Sequence, residues 1–271
     1  MAHEYVMPEG DARMNFNITY ERPEQDEPKS GPVKVGWLLT EAKGGVIFDP
    51  PERVRSAEMN KNHAKSASRC PAVINLESRY FVINCPFDLN IGLVRDDKGK
   101  PALKNLAGDM SSVRAKKLGQ HLHLTAEKEW RYPNRPTIQV SLPYLFITDE
   151  PVYMSQVPAF MHYRAEQMPG TMFGGRFPIN LWPRPLMWAF EWHDVSKPLK
   201  IARGEPLFYC LFETDPQDRP VQMIEAERTK DLDEYLELVS GAVNYVNQTF
   251  SLFKQAEERR PSVLLQAKER G

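Results

Sequence analysis

Cysteine is scarce in this sequence, which has only Cys70, Cys85 and Cys210 among 271 residues. Three thiols cannot all pair with one another, and no two have the Cys-x-x-Cys spacing of a zinc or redox site. The sequence therefore excludes a metal or redox centre built from cysteines alone. Reduced, buried thiols are the expectation.

Long apolar runs and an excess of charge are also absent. No stretch approaches the roughly 20 consecutive apolar residues of a membrane span, and the polar start from Met1 to Glu9 lacks the apolar centre of a signal peptide. The 35 basic and 36 acidic residues nearly cancel, so no overall field would attract nucleic acid or an anionic membrane. We expect a cytoplasmic protein without a nucleic-acid or membrane partner.

Proline and glycine are plentiful and spread along the chain. The 23 prolines and 15 glycines break it into short segments, as edge strands and tight turns require. This pattern predicts a mainly β fold, a β-sandwich or jelly roll, with a double-stranded β-helix as the alternative. The predicted organisation is a polar N-terminal arm over residues 1–32, a β domain over 33–228 and a C-terminal helix over 229–260.

Alternating or continuous apolar residues locate the predicted strands. Turns are predicted at 96–101 and 203–206, and residues 102–118 are weakly patterned and predicted to be loop. The predicted strands are 14–20, 33–40, 46–48, 72–76, 80–84, 89–93, 121–124, 138–142, 144–148, 152–154, 188–192, 199–201 and 207–212.

One long amphipathic helix is predicted near the C-terminus. Asp231 and Glu234 have the spacing of a capping box, and Arg259, Arg260 and Pro261 mark the end. The apolar stripe must be covered by the β domain or by a partner subunit, so we expect self-association. Its members recur at intervals of three and four: Leu232, Leu236, Val239, Val243, Val246, Phe250 and Phe253.

Histidines provide the candidate metal ligands. His121 and His123 are two residues apart on a predicted strand, so their imidazoles would share one face and could bind one ion. Glu127 completes His-x-His-x-x-x-Glu, the core spacing of the first cupin motif, and His162 or His193 would supply a third nitrogen. The ion would be Fe, Zn, Mn or Ni. The alternative is that the two histidines face solvent or bond to neighbours.

A carboxylate and an imidazole share a strand face near residue 192. Glu191 and His193 flank Trp192, so an acid/base pair is geometrically allowed. The alternative is that Trp192 belongs to the core and the charged residues lie at the rim of the sheet.

Aromatic residues are concentrated between Phe173 and Trp192. Pro178, Pro183 and Pro185 keep part of this segment out of a central strand. The segment would line a pocket or interface, or it would form a flap over the core. The ligand or interface candidates are Trp182, Trp188 and Trp192, with Arg176 and Arg184 as partners for an anion.

Three sequence segments between residues 144 and 212 are similar to segments of other proteins. They are Tyr144-Leu145-Phe146, the 174–180 run leading into 188–192, and Leu199-x-Ile201-x-Arg203-Gly204-Glu205-Pro206-Leu207. They resemble an uncharacterised family of bacterial and phage proteins, which implies a β-rich fold and no known reaction. The last piece is similar, more distantly, to the closing strands of dUTPase-like and dCTP-deaminase-like folds. The catalytic aspartate segment and glycine-rich phosphate motif of dUTPases are missing here, so the resemblance does not imply their activity.

Three functions follow as expectations. The first is a β-rich binding or assembly protein without evident catalytic machinery, whose ligand is an unidentified small molecule or protein. The second is a cupin-like, metal-dependent oxygenase or isomerase that uses His121, His123 and Glu127. The third is a nucleotide-binding relative of the dUTPase-like group.

Overall fold

The computed structural model describes residues 31–41, 45–55, 69–108, 111, 115–164, 166–240 and 249–269. The strand predicted at 14–20 and nearly all of the predicted arm lie outside these residues. The described residues from Gly31 onward belong to one compact unit.

Among the described residues the fold is mainly β, as the sequence predicts, with about twice as many residues in strands as in helices. The helices of the described residues are α1 (Pro71–Ser78), α2 (Ala115–His121), α3 (Lys230–Ser240) and α4 (Thr249–Arg259). The strands of the described residues are β1 (Val33–Leu39), β2 (Glu52–Arg53), β3 (Tyr80–Asn84), β4 (Leu89–Arg95), β5 (Pro101–Asn105), β6 (Leu122–Leu124), β7 (Thr137–Ser141), β8 (Tyr144–Ile147), β9 (Tyr153–Pro158), β10 (Gly170–Met172), β11 (Gly175–Pro178), β12 (Met187–Trp192), β13 (Leu199–Ile201), β14 (Pro206–Glu213) and β15 (Val221–Glu225).

These strands form four separate sheets. Their orders are β15-β1-β8, β10-β12-β7-β6, β11-β9-β14-β3-β2 and β13-β4-β5. All pairs are antiparallel except β1 with β15, which run parallel. One large hydrophobic cluster draws buried side chains from all four sheets.

The strand β12 shows how alternation places side chains in that cluster. Trp188, Phe190 and Trp192 are each no more than 1% exposed, because every second residue of a strand points to the same face. The neighbouring strand β7 presents Ile138 and Val140 from the same side, both fully buried. The predicted strand at 188–192 is therefore confirmed, and its aromatic side chains are interior.

The single long C-terminal helix is not confirmed, because α3 and α4 are short and fold back on each other. The hydroxyl of Tyr235 lies 3.3 Å from the carbonyl oxygen of Ala256. In one straight helix, residues 21 apart would be separated by about 30 Å. The N-cap also differs from the predicted Asp231: the Thr229 hydroxyl accepts the N–H of Leu232.

Three local predictions are wrong. Residues 72–76 were predicted as a strand but belong to α1. Pro71 occupies the first turn of this helix, where proline is favoured. A short apolar run does not by itself distinguish a strand from a helix. Residues 46–48 have no regular structure, although Phe48 is buried. The predicted loop at 102–118 contains most of β5 and the start of α2.

Two predicted turns are confirmed. The Asp96 side chain accepts the backbone N–H groups of Lys98 and Lys100, which closes the turn between β4 and β5. Gly204 adopts a positive φ of 83° between β13 and β14. These two strands pair with different neighbours, so they do not form a hairpin.

Among the described helices, none is long and apolar enough to cross a membrane.

The Arg260 side chain ties the end of α4 to two loops. Its guanidinium is 12% exposed and lies 3.0 Å from the Asp149 carboxylate. It also donates to the carbonyl oxygens of Asn180 and Thr148 at 2.8 and 2.9 Å. Removing it breaks the ion pair with Asp149 and takes a donor from the two carbonyl oxygens, although the carboxylate still accepts the backbone N–H groups of Leu264 and Leu265.

We expect Arg260→Ala to lower the free energy of unfolding by about 2–4 kcal/mol, because a partly buried ion pair and two hydrogen bonds to carbonyl oxygens are lost together. Urea denaturation measures the change. The matched control is Arg259→Ala, which removes an exposed neighbour and should cost under about 0.5 kcal/mol. Equal effects of the two substitutions would show that the contacts of Arg260 do not stabilise the fold.

Candidate functional site

An apolar cavity of about 320 Å³ opens beside the edge of β10 and β12. We call it the aromatic cavity. Its volume lies at the low end of the roughly 300–1,000 Å³ of small-molecule sites. The wall includes Phe160, His162, Met168, Met172, Trp188 and Phe190.

A pair of stacked rings lines the aromatic cavity. Trp188 and Phe190 lie two residues apart on β12, so both point inward, with ring centroids 5.0 Å apart and planes 15° apart. Both side chains are only 1% exposed, so a ligand lies against them only after neighbouring side chains move. Gly170 lies beside these rings where no side chain fits, because a Cβ there would lie 2.0 Å from the Glu191 carbonyl oxygen.

The indole N–H of Trp188 has no hydrogen-bond partner, although it is buried. Two other buried indoles are satisfied. Trp130 donates to the Thr125 carbonyl oxygen at 3.0 Å, and Trp192 donates to the Asp194 carbonyl oxygen at 2.9 Å. An indole nitrogen is a donor only, so the missing partner of Trp188 is an acceptor.

A second cavity of about 470 Å³ adjoins the first. We call it the polar cavity. His162, Arg164 and Glu166 line both cavities, so the two lie on either side of one loop. The remaining wall of the polar cavity includes Asp88, Asn90, Tyr163, Lys200 and Glu205.

Unpaired buried polar atoms are concentrated at these two cavities. Among the described residues, five buried side-chain polar atoms have no partner, and three belong to the cavity walls: Asn90 Oδ1, His162 Nε2 and Trp188 Nε1. Each such atom costs about 1–3 kcal/mol in the free protein. A ligand that supplied the partners would recover part of that energy.

The loop between the cavities is anchored through Arg164. Its guanidinium, 17% exposed, lies 3.1 Å from the Glu205 carboxylate and donates to the Pro206 carbonyl oxygen at 2.7 Å. Glu205 in turn accepts the N–H of Ala202 within the turn that precedes β14. Arg164 therefore holds the shared wall in place.

The buried thiols of Cys85 and Cys210 are not activated nucleophiles. Burial raises the pKa of Cys85 to about 12, and its Sγ donates to the Phe87 carbonyl oxygen at 3.0 Å. Burial also raises the pKa of Cys210. Both thiols therefore stay protonated at neutral pH, and the thiolate is the nucleophilic form.

The predicted cupin-like ligands do not come together. His121 ends α2 and is 4% exposed, with its ring between Phe48 and Phe87, whereas His123 lies in β6 and is exposed. The rule that alternate strand residues share a face fails here because His121 is helical. Glu127 is exposed and pairs with Arg95 at 3.0 Å. In the described part of the chain no three His, Cys, Asp or Glu side chains are grouped for a metal ion.

The two remaining histidines lie in different surroundings. His162 borders both cavities, whereas His193 is 40% exposed and its Nε2 lies 3.0 Å from a Glu191 carboxylate oxygen. Glu191 is buried, and Arg135 approaches the same oxygen at 3.6 Å. Glu191 and His193 are thus close to each other, and neither lines the aromatic cavity or the polar cavity.

The predicted anion-binding arginines have partners within the chain. Arg176 lies 3.8 Å above the Tyr153 ring and 2.7 Å from the Glu213 carboxylate. Arg184 lies 4.7 Å above the Trp182 ring, and burial lowers the pKa of its guanidinium. Trp182 itself packs between Phe177 and Phe253.

The other two predicted ligand or interface residues are tryptophans. Trp188 lies in the wall of the aromatic cavity, and Trp192 lies in the core. The sequence reasoning missed Asn90, Phe160, Arg164 and Met168, which come from a strand and an irregular loop with no motif. Gly170 was a usable signal, because glycine within a strand often marks a close backbone approach.

Comparisons with protein-family models, curated proteins and solved structures gave no match. The predicted resemblance to a bacterial and phage family therefore stays a prediction.

Trp188 and Trp192 provide a matched test of the unpaired N–H. Both are almost fully buried, so replacement by Phe removes similar apolar surface. Trp192→Phe also removes hydrogen bonds to the carbonyl oxygens of Asp194 and Lys197. We expect Trp192→Phe to cost about 1 kcal/mol more than Trp188→Phe in urea denaturation. An equal or larger cost for Trp188→Phe would show that its N–H is paired in the folded chain.

The three thiols should differ in reactivity, because only one of them is exposed. Cys70 is exposed, whereas Cys85 and Cys210 are buried, and burial raises their pKa values. At pH 8 we expect one thiol per folded chain to react promptly with an aromatic disulfide reagent, and three after denaturation. Cys70→Ser should abolish the prompt reaction. Prompt reaction of two or more thiols would contradict the described burial.

Proposed function

We propose that this chain is a binding protein that holds a small molecule with a planar, apolar ring in the aromatic cavity. The proposal rests above all on the Trp188 indole, whose buried N–H has no partner although those of Trp130 and Trp192 do. The ligand ring would present an acceptor to that N–H. No reaction is part of this proposal.

The lining of the aromatic cavity supports a ring as the ligand. Trp188 and Phe190 contribute aromatic rings to the wall, and the unbranched side chains of Met168 and Met172 can adjust around a bound molecule. His162 also lines this cavity, and its buried Nε2 atom, which has no partner, provides a second polar contact. Apolar walls with a few polar groups are typical of ligand sites.

The unpaired nitrogens are not in contact with water in the free chain, since their atoms are buried. A ligand would therefore reach them by displacing part of the wall. Phe160 is 57% exposed at the rim, and its loop is held at Arg164. Displacement of rim side chains is the smallest change that admits a ligand.

The assembly part of the sequence-based hypothesis has less support than binding. The described members of the predicted helical stripe are covered within the chain: Leu232 and Val239 are buried in a cluster with Leu145, Ile147 and Leu264. The stripe does not require a partner subunit at these positions. Binding of a small molecule is therefore the stronger half of that hypothesis.

The finer architecture is also a proposal. We infer that the sheets stack as in a β-sandwich. The support is that one core cluster takes side chains from all four sheets, and that Gln156 of β9 donates to the Met187 carbonyl oxygen of β12.

A pair of ring compounds of equal size tests the proposed function. Quinoline has one ring acceptor and naphthalene has none. We expect both to raise the melting temperature, and quinoline to bind about fivefold tighter or more, because it alone can accept the Trp188 N–H. Isothermal titration gives the ratio.

Two tryptophan variants complete this experiment. Trp188→Phe should abolish the preference for quinoline, and Trp192→Phe, the matched control, should keep it. Failure of both rings to bind would refute the proposal. A larger melting shift with deoxynucleoside triphosphates than with either ring would favour the dUTPase-like alternative instead.

A further inference from the structure

We infer that the ligand extends beyond its ring and places an amine, or another N–H donor, in the polar cavity. This inference rests on the function proposed above and specifies the class of ligand. The loop residues His162, Arg164 and Glu166 line both cavities, so a short substituent on a ring in one cavity would lie beside the other.

Asn90 supplies the acceptor for that donor. It lies on β4 opposite Lys200 of β13, and its Oδ1 atom is buried without a partner. A carboxamide oxygen accepts hydrogen bonds and cannot donate them. An N–H or O–H group on a ligand in the polar cavity would satisfy it.

The charges of the polar cavity favour a cationic donor. Three carboxylates line it, those of Asp88, Glu166 and Glu205, against two cations, Arg164 and Lys200. Arg164 already donates to Glu205 and to the Pro206 carbonyl oxygen. Lys200 lies 3.9 Å from Glu166, and both are largely exposed. A carboxylate substituent would meet like charge, whereas an ammonium group would be complementary.

Three quinolines with matched substituents test the inference: methyl, aminomethyl and carboxyl at the same ring position. We expect the aminomethyl compound to bind at least about tenfold tighter than the other two in isothermal titration. Equal affinities, or tighter binding of the carboxyl compound, would overturn the inference and leave ring binding intact. If unsubstituted quinoline also failed to bind, the proposed function would fall with it.

Variants at Asn90 identify the contact. Asn90→Leu should bring the aminomethyl and methyl compounds to within about twofold of each other, because the acceptor is gone. Asn90→Asp preserves the shape and should widen the preference for the amine. Asn134→Leu, at an exposed turn outside both cavities, should leave the ratio unchanged. A tenfold preference that survived in Asn90→Leu would exclude Asn90 as the acceptor.

Discussion

Burial of the inner face of β12 is the constraint on which the rest of the structure depends. Alternation along this strand places Trp188, Phe190 and Trp192 in the core shared by all four sheets. An indole brings a donor into the interior with its apolar surface, and that donor needs a partner. The chain meets this need at Trp192 through the turn that follows the strand, and leaves it unmet at Trp188. The unmet donor lies where the packing opens into a cavity.

The sequence predicted the β-rich character and much of this strand pattern, because alternation and the spacing of proline and glycine are local signals. The sequence-based prediction was wrong where local signals are ambiguous, or where tertiary contacts determine the secondary structure. Residues 72–76 could not be told from a strand by their apolar run, and the apolar stripe of 232–253 fits one long helix as well as two short ones. The contact between Tyr235 and Ala256, which separates these cases, is not visible in any window of sequence.

The site was less predictable than the fold. Trp188 was a candidate because aromatic residues are concentrated around it, but nothing in the sequence distinguished it from Trp192 or Trp182. The difference arises from residues distant in the chain that line the same cavity as Trp188, such as Phe160 and Arg164 in a loop with no motif. The His121 and His123 pair failed for a related reason, since the end of α2 falls between them and turns one ring into the core. Spacing alone did not reveal that boundary.

The five tryptophans give the central claim a direct measurement, because each indole N–H has its own resonance in a proton–nitrogen correlation spectrum. Trp188→Phe assigns the signal of interest. On titration with quinoline, we expect the Trp188 signal to move downfield as its N–H gains an acceptor, while that of Trp192 stays in place. A Trp188 signal that does not move while quinoline binds would show that the ligand does not accept this N–H.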